Sequence, residues 1–343
     1  MKKNKRWGVK VCLRLQKLLD IQLPICLVVA RTPSILVEFN TEMANLTPFQ
    51  IFGDATVGRM FVPNGLSYKE IKAEVISPIH GRSIAIQVEE YNWILVKGGG
   101  WNYNGPQIYI SNKDEELIFG LYPLVAGKRE LAVSQEIEEI SNDFPKVLYY
   151  KKFSDYNLPK EYDCLKNLKF RNGNPVDPCL LYTMVKCPYR VADLMYLTCE
   201  KKRAVIESCC DYWGVSTKEY IQQFIKKLSY HVAILHKNNF VNDTLEYSNV
   251  TMLAEIVDYE WVTVPNIPYV DGTVNMELID ARREKEILYA AEVCLQLSAL
   301  LGNDYNFFNI YSDIVSEYKR HNPGFIEKMP LIKKILNREK III

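Results

Sequence analysis

Charge of either sign is nearly cancelled in this 343-residue chain, with 42 Lys+Arg against 41 Asp+Glu. That balance argues against a dedicated nucleic-acid binder, which carries a basic excess. Histidine is scarce: His80, His231, His236 and His321 share no metal-ligand spacing. The nine cysteines include no C-x-x-C and only one adjacent pair, Cys209-Cys210, so no zinc spacing is present. An odd cysteine count without a secretory signal reads as reduced thiols, and a cytoplasmic location is the expectation. The apolar stretch from Leu23 to Ala30 is too short for a membrane span. There is no internal repeat, no low-complexity segment and no G-x-x-x-x-G-K-[ST] phosphate loop. What remains is an ordinary globular composition, long enough for one large domain or two lobes with a sizeable core.

Along the chain, residues 1–17 are basic, and Leu13, Leu15, Leu18 and Leu19 suit a first helix that covers a core. From Phe49 to Val96 the pattern turns to strands, over Ala73 to Ile76, Ser83 to Val88 and Trp93 to Val96. Turns join them, including Pro78-Ile79-His80-Gly81-Arg82. The third strand ends in Lys97 and then Gly98-Gly99-Gly100. Three glycines permit close backbone approach to a ligand, with an ammonium alongside. A solvated hairpin tip fits the same residues equally well.

A helix is expected over Lys128 to Ile140, with Glu130 in its first turn, where a carboxylate favours the macrodipole. Its alternative role is to pair with Lys97. Strands are expected at Lys146 to Lys151 and Leu180 to Val185. Lys186 and Arg190 follow, either as anion contacts or as solvated charges in a turn. Beyond Leu194 the pattern is helical, over Lys202 to Trp213, Thr217 to Leu235, Glu277 to Leu301, Phe307 to His321 and Gly324 to Leu336. Ser216 and Glu219 have the spacing of a capping box.

Between those helices lies Asn242 to Glu260, NDTLEYSNVTMLAEIVDYE. Two short strands joined by a tight turn would bring the Asn249 amide oxygen and the Asp258 carboxylate to one end of a hairpin. Both are hard ligands suited to Mg²⁺. A surface hairpin with polar ends is the plain alternative.

Taken together, a Gly-Arg turn, a Lys ending a strand, a helix bearing Glu, two strands, helices and then Asn…Asp follow the order of a protein-kinase-like fold. The specific resemblance is to the selenoprotein O family of protein adenylyltransferases. It rests on SPIHGRSIAIQV, WILVKGGGW, KRELAVSQEI and YSNVTMLAEIVDYE, with KCPYRVADLMYL as a weaker fifth segment. The resemblance implies an α+β, two-lobed kinase-like fold: an extension over 1–45, a β-rich N-lobe with one key helix over 46–197 and a helical C-lobe over 198–343. It implies ATP and Mg²⁺ as cofactors and AMP transfer to protein hydroxyls. Lys97 would contact phosphates and Glu130 would position Lys97. Gly81, Arg82, Gly98, Gly99, Lys186 and Arg190 would lie near the nucleotide, and Asn249 and Asp258 would bind Mg²⁺. No nucleic-acid partner and no integral membrane segment are expected, and the protein substrate is open.

The sequence departs from that family at the residue before Asn249. An acidic proton acceptor is expected there and Ser248 stands instead. Asp243 or Glu246, close by, are the substitute bases. His80 replaces an acidic residue before the Gly-Arg, and Lys186 replaces an Arg. An ATP-binding pseudokinase, or a kinase acting on a protein or small molecule, are therefore the alternatives to an active adenylyltransferase.

Overall fold

A computed structural model of the chain describes residues 25–29, 49–53, 59–64, 69–73, 83–98, 100–101, 108–110, 116–118, 122–152, 175, 177–269, 272–273, 276–325, 329–330 and 332. In chain order the elements are β1 (Ile25–Val29), β2 (Phe49–Gly53), β3 (Arg59–Asn64), β4 (Lys69–Ala73), β5 (Ser83–Glu89), β6 (Asn92–Lys97), β7 (Gly100–Trp101), β8 (Ile108–Ile110), β9 (Glu116–Ile118), β10 (Tyr122–Pro123), α1 (Leu124–Ile140), β11 (Lys146–Lys152), β12 (Pro178–Val185), α2 (Cys199–Trp213), α3 (Tyr220–Lys237), β13 (Val241–Asn242), β14 (Val262–Thr263), α4 (Ile279–Leu300) and α5 (Phe307–His321). The fold is mixed, with five α-helices among the described residues and small antiparallel sheets. Two compact units divide it: Met1–Leu131 with Lys146–Pro188, and Ala132–Pro145 with Tyr189–Ile343.

The first unit holds two five-stranded sheets, ordered β4-β1-β2-β3-β7 and β10-β12-β6-β5, the latter with β11 also on β12. β6 and β12 are the central pair. Their sequences, NWILVK and PCLLYTMV, are near-continuous apolar runs, as strands covered on both faces require. Trp93, Leu95, Val96, Leu180 and Leu181 are buried with Leu148 and Tyr150 of β11. Antiparallel register sets Leu181 opposite Lys97 and Val185 opposite Trp93.

In the second unit α3, α4 and α5 pack on one another. Phe224, Leu228, Val232 and Leu235 recur at helical spacing along α3 and are buried, as are Ile287, Ala291, Cys294 and Leu297 of α4 and Ile310, Ile314 and Tyr318 of α5. α2 is capped by the Thr198 side chain at its start and by Gly214, φ 65°, at its end. No helix among the described residues is long and apolar enough to cross a membrane.

Several boundaries differ from the sequence reading. α1 begins at Leu124, not Lys128, so Glu130 lies in the second turn and not the first. The macrodipole contribution expected of it therefore fades. The early start carries Gly127 into the helix. A Cβ at Gly127 would lie 2.7 Å from Cys179 Sγ, so the residue that reads as a breaker permits close approach of helix and strand. α3 begins at Tyr220 and not at Thr217. Ahead of it, Ser216 N donates to Glu219 Oε2 at 2.9 Å, while Ser216 Oγ donates to the same oxygen at 2.7 Å and does not cap the helix amides, so the expected box is only half formed. β4 ends at Ala73, and the rest of the strand expected to Ile76 lies outside the described residues, as do residues 1–24 and most of 324–336.

Candidate functional site

In the first unit, Lys97 closes β6 between Ser83 of β5 and Leu181 of β12. Its ammonium lies 2.8 Å from Glu130 Oε1 of α1, and both residues are buried. The Tyr122 hydroxyl donates to the same oxygen at 2.7 Å. The Tyr122 ring lies 4.1 Å from Lys97 Nζ, a cation–π contact that adds to the ion pair. An ammonium and a carboxylate out of water are stable only as a pair with further hydrogen bonds, and the pair with Tyr122 supplies both. Gly98 follows in a left-handed conformation, φ 92°. A Cβ there would strike the Cys179 carbonyl oxygen and lie 2.7 Å from Tyr122 Cβ. Cys179, beneath this group, is not a nucleophile: burial pushes its thiol far up, Glu130 and Asp177 push the same way, and Lys97 opposes them.

Lys186 is placed elsewhere. Its Nζ donates to Asn92 Oδ1 at 2.7 Å, at the start of β6, whereas Lys97 ends that strand. Five residues of strand separate the backbone at those two ends by roughly 17 Å. Gly81, Arg82 and Gly99 lie outside the described residues.

In the second unit, residues 249–257 form a tight hairpin. Val250 and Ile256 bridge, and the Asn249 carbonyl accepts from Val257 N at 2.9 Å. Thr251 builds the turn. Its amide donates to the Glu255 carbonyl at 2.9 Å, and its hydroxyl accepts from Glu255 N at 3.2 Å and donates to Glu255 Oε2 at 3.0 Å. Ala254, φ 58°, completes the reversal, its carbonyl 2.8 Å from His231 Nδ1 of α3. The strands are isolated bridges and not ladders, yet they bring Asn249 and Asp258 to the open end together. Asp258 itself has φ 70°, a conformation that Asp tolerates better than most residues and that recurs at functional positions.

Asn249 has a fixed orientation. Its Nδ2 donates to the Thr244 carbonyl at 2.9 Å, which turns Oδ1 toward Arg190 Nη1 at 3.3 Å. Arg190 Nη1 also donates to the Ser248 carbonyl at 2.6 Å. The Asn249 and Asp258 oxygens have the chemistry that a hard divalent cation takes. With a guanidinium so near Oδ1, the surroundings suit that cation only in company with an anion.

The loop before Asn249 is anchored by α4. Glu286 Oε2 accepts from Asn242 N at 2.8 Å and lies 2.9 Å from His236 Nε2, while His236 Nδ1 lies 2.9 Å from the Tyr318 hydroxyl. Burial pushes the Glu286 carboxyl up and the His236 imidazole down, each shift disfavouring the charged form. Of the residues around the expected proton-acceptor position, Asp243 is heavily engaged. Arg282 Nε donates to Oδ1 at 2.8 Å, and Arg282 Nη2, the Tyr269 hydroxyl and the Thr263 hydroxyl all reach Oδ2. Glu246 accepts the Ser248 hydroxyl at 2.7 Å.

Sequence reasoning missed Tyr122, Arg282, His236 and Glu286. Arg282, His236 and Glu286 act across long gaps in the chain, and Tyr122, eight residues before Glu130, carries no motif. No protein-family model matches this chain and no curated protein matches its sequence.

Proposed function

We propose that this chain is an ATP- and Mg²⁺-dependent transferase on a two-lobed, protein-kinase-like fold, and that it moves AMP to Ser, Thr or Tyr hydroxyls of a protein. The observation that carries the reading is the buried Lys97–Glu130 pair, which fixes an ammonium at the end of a central strand beside a glycine in a left-handed conformation. Lys97 neutralises phosphate charge, and Glu130 with Tyr122 holds its ammonium in place. Asn249 and Asp258 are the oxygen donors to Mg²⁺. Arg190, already turned toward Asn249 Oδ1, offers a guanidinium to an anion. Bound Mg²⁺ would polarise the phosphoryl oxygens and offset charge on the leaving group. Transfer of this kind needs charge neutralised and the nucleophile placed in line, and little covalent chemistry from the protein. Gly81, Arg82, Gly98, Gly99 and Lys186 belong to the proposed nucleotide contacts through the family resemblance alone.

Incubation with Mg²⁺ and ATP labelled at the α or the γ position tests this. Label carried from the α position supports AMP transfer, and label carried only from γ indicates a kinase. Two observations favour a second reading, an ATP-binding pseudokinase: Ser248 stands where a base is expected, and Asp243 is taken up by Arg282. Stabilisation by ATP without turnover would support it.

A further inference from the structure

We infer that Ser248 and Glu246 together form the proton acceptor, with Ser248 as the relay and Glu246 as the terminal base. This rests on the transferase reading above. Of the two carboxylates near Asn249 in sequence, Asp243 has both oxygens engaged as acceptors, by Arg282, Tyr269 and Thr263. Glu246 is exposed, and its Oε1 takes the Ser248 hydroxyl at 2.7 Å. That bond leaves the Ser248 oxygen lone pairs to accept from an incoming group. The backbone around the relay is pinned. Arg190 Nη1 holds the Ser248 carbonyl at 2.6 Å, Asn249 N donates to the Glu246 carbonyl at 2.8 Å, and Asn249 Nδ2 holds the Thr244 carbonyl. Ser248 immediately precedes a candidate metal ligand, Asn249, in the chain and has its hydroxyl on Glu246.

The step balances. The substrate hydroxyl passes its proton to Ser248 Oγ while Ser248 passes its own to Glu246 Oε1. The substrate oxygen bonds to the α-phosphorus of ATP, the bond from that phosphorus to the bridging oxygen breaks, and pyrophosphate leaves with the electron pair.

The test measures AMP transfer from α-labelled ATP to Ser-, Thr- and Tyr-containing peptides, with ATP affinity read separately by calorimetry. Glu246→Gln and Ser248→Ala each lower kcat on the order of 100-fold while ATP affinity stays at the wild-type value. Ser248→Asp puts a carboxylate where the hydroxyl was. It restores transfer and makes it indifferent to a further Glu246→Gln. A merely structural hydrogen bond would not give that rescue. Wild-type transfer in Glu246→Gln, or a Ser248→Asp variant as inactive as Ser248→Ala, overturns the relay. So does a wild-type chain that binds ATP and transfers nothing. A chain that binds no ATP overturns the transferase reading itself.

Discussion

Removing the Glu130 carboxylate is the sharpest structural perturbation the first unit offers. The side chains of Lys97 and Glu130 are only 11% and 3% exposed, and their polar atoms meet at 2.8 Å. In Glu130→Ala the Lys97 ammonium stays in a dry setting without that counter-charge, and the Tyr122 hydroxyl loses this acceptor. Breaking a buried pair from one side costs about 3–5 kcal/mol. The Tyr122 ring 4.1 Å from the ammonium is present before and after the change, so it does not offset the loss. A loss of about 3 kcal/mol is expected, smaller in Glu130→Gln, which keeps an acceptor for Tyr122. Lys97→Met with Glu130→Leu removes both charges and should cost less than either single change, because no buried ion is left behind. Urea unfolding followed by tryptophan fluorescence measures all four proteins. If Glu130→Ala costs under about 1 kcal/mol, the pair behaves as an exposed one and the reasoning fails.

Gly98→Ala should destabilise the chain by about 2–4 kcal/mol, from left-handed backbone strain and collision with the Cys179 carbonyl; a midpoint shift no larger than that of Gly272→Ala would contradict this. Burial lowers the His231 pKa from 6.5 to about 4, so below pH 6.5 the unfolded chain binds a proton that the folded chain refuses. Stability should therefore fall as pH drops from 6.5 toward 4, by on the order of 3 kcal/mol from this residue. His236 acts with the same sign, and Glu286, pushed up, opposes it above the ordinary carboxyl range. Unfolding curves of wild type and His231→Gln across that window should converge at low pH; parallel curves would refute the assignment. Asp258→Ala should weaken Mg²⁺-dependent ATP binding on the order of 100-fold, and unchanged affinity would remove Asp258 from the proposed donor set.

The parts of this molecule legible in the sequence are those written in local pattern. The apolar runs of β6 and β12 and the helical spacing along α3 follow from which residues must be covered. The 249–257 hairpin was legible too, because Asn249 and Asp258 flank an apolar run short enough to turn once. Boundaries failed where tertiary contact overrode propensity. Gly127 reads as the end of a loop, yet it lies inside α1 because Cys179 leaves no room for a larger residue. That shift also moved Glu130 out of the first turn and left its interaction with Lys97 as its clearest role. Arg282 and Glu286 could not be found from spacing, since they reach the 242–249 loop from a helix almost forty residues on. Neither carries a motif, and only the packing of α4 against β13 brings them there.

Calorimetric titration of the full chain with ATP, in Mg²⁺ and again in EDTA, tests the central claim most directly. The account predicts saturable binding in Mg²⁺ that is lost in EDTA and abolished by Lys97→Ala. Absence of binding, or binding indifferent to both Mg²⁺ and Lys97, would contradict it.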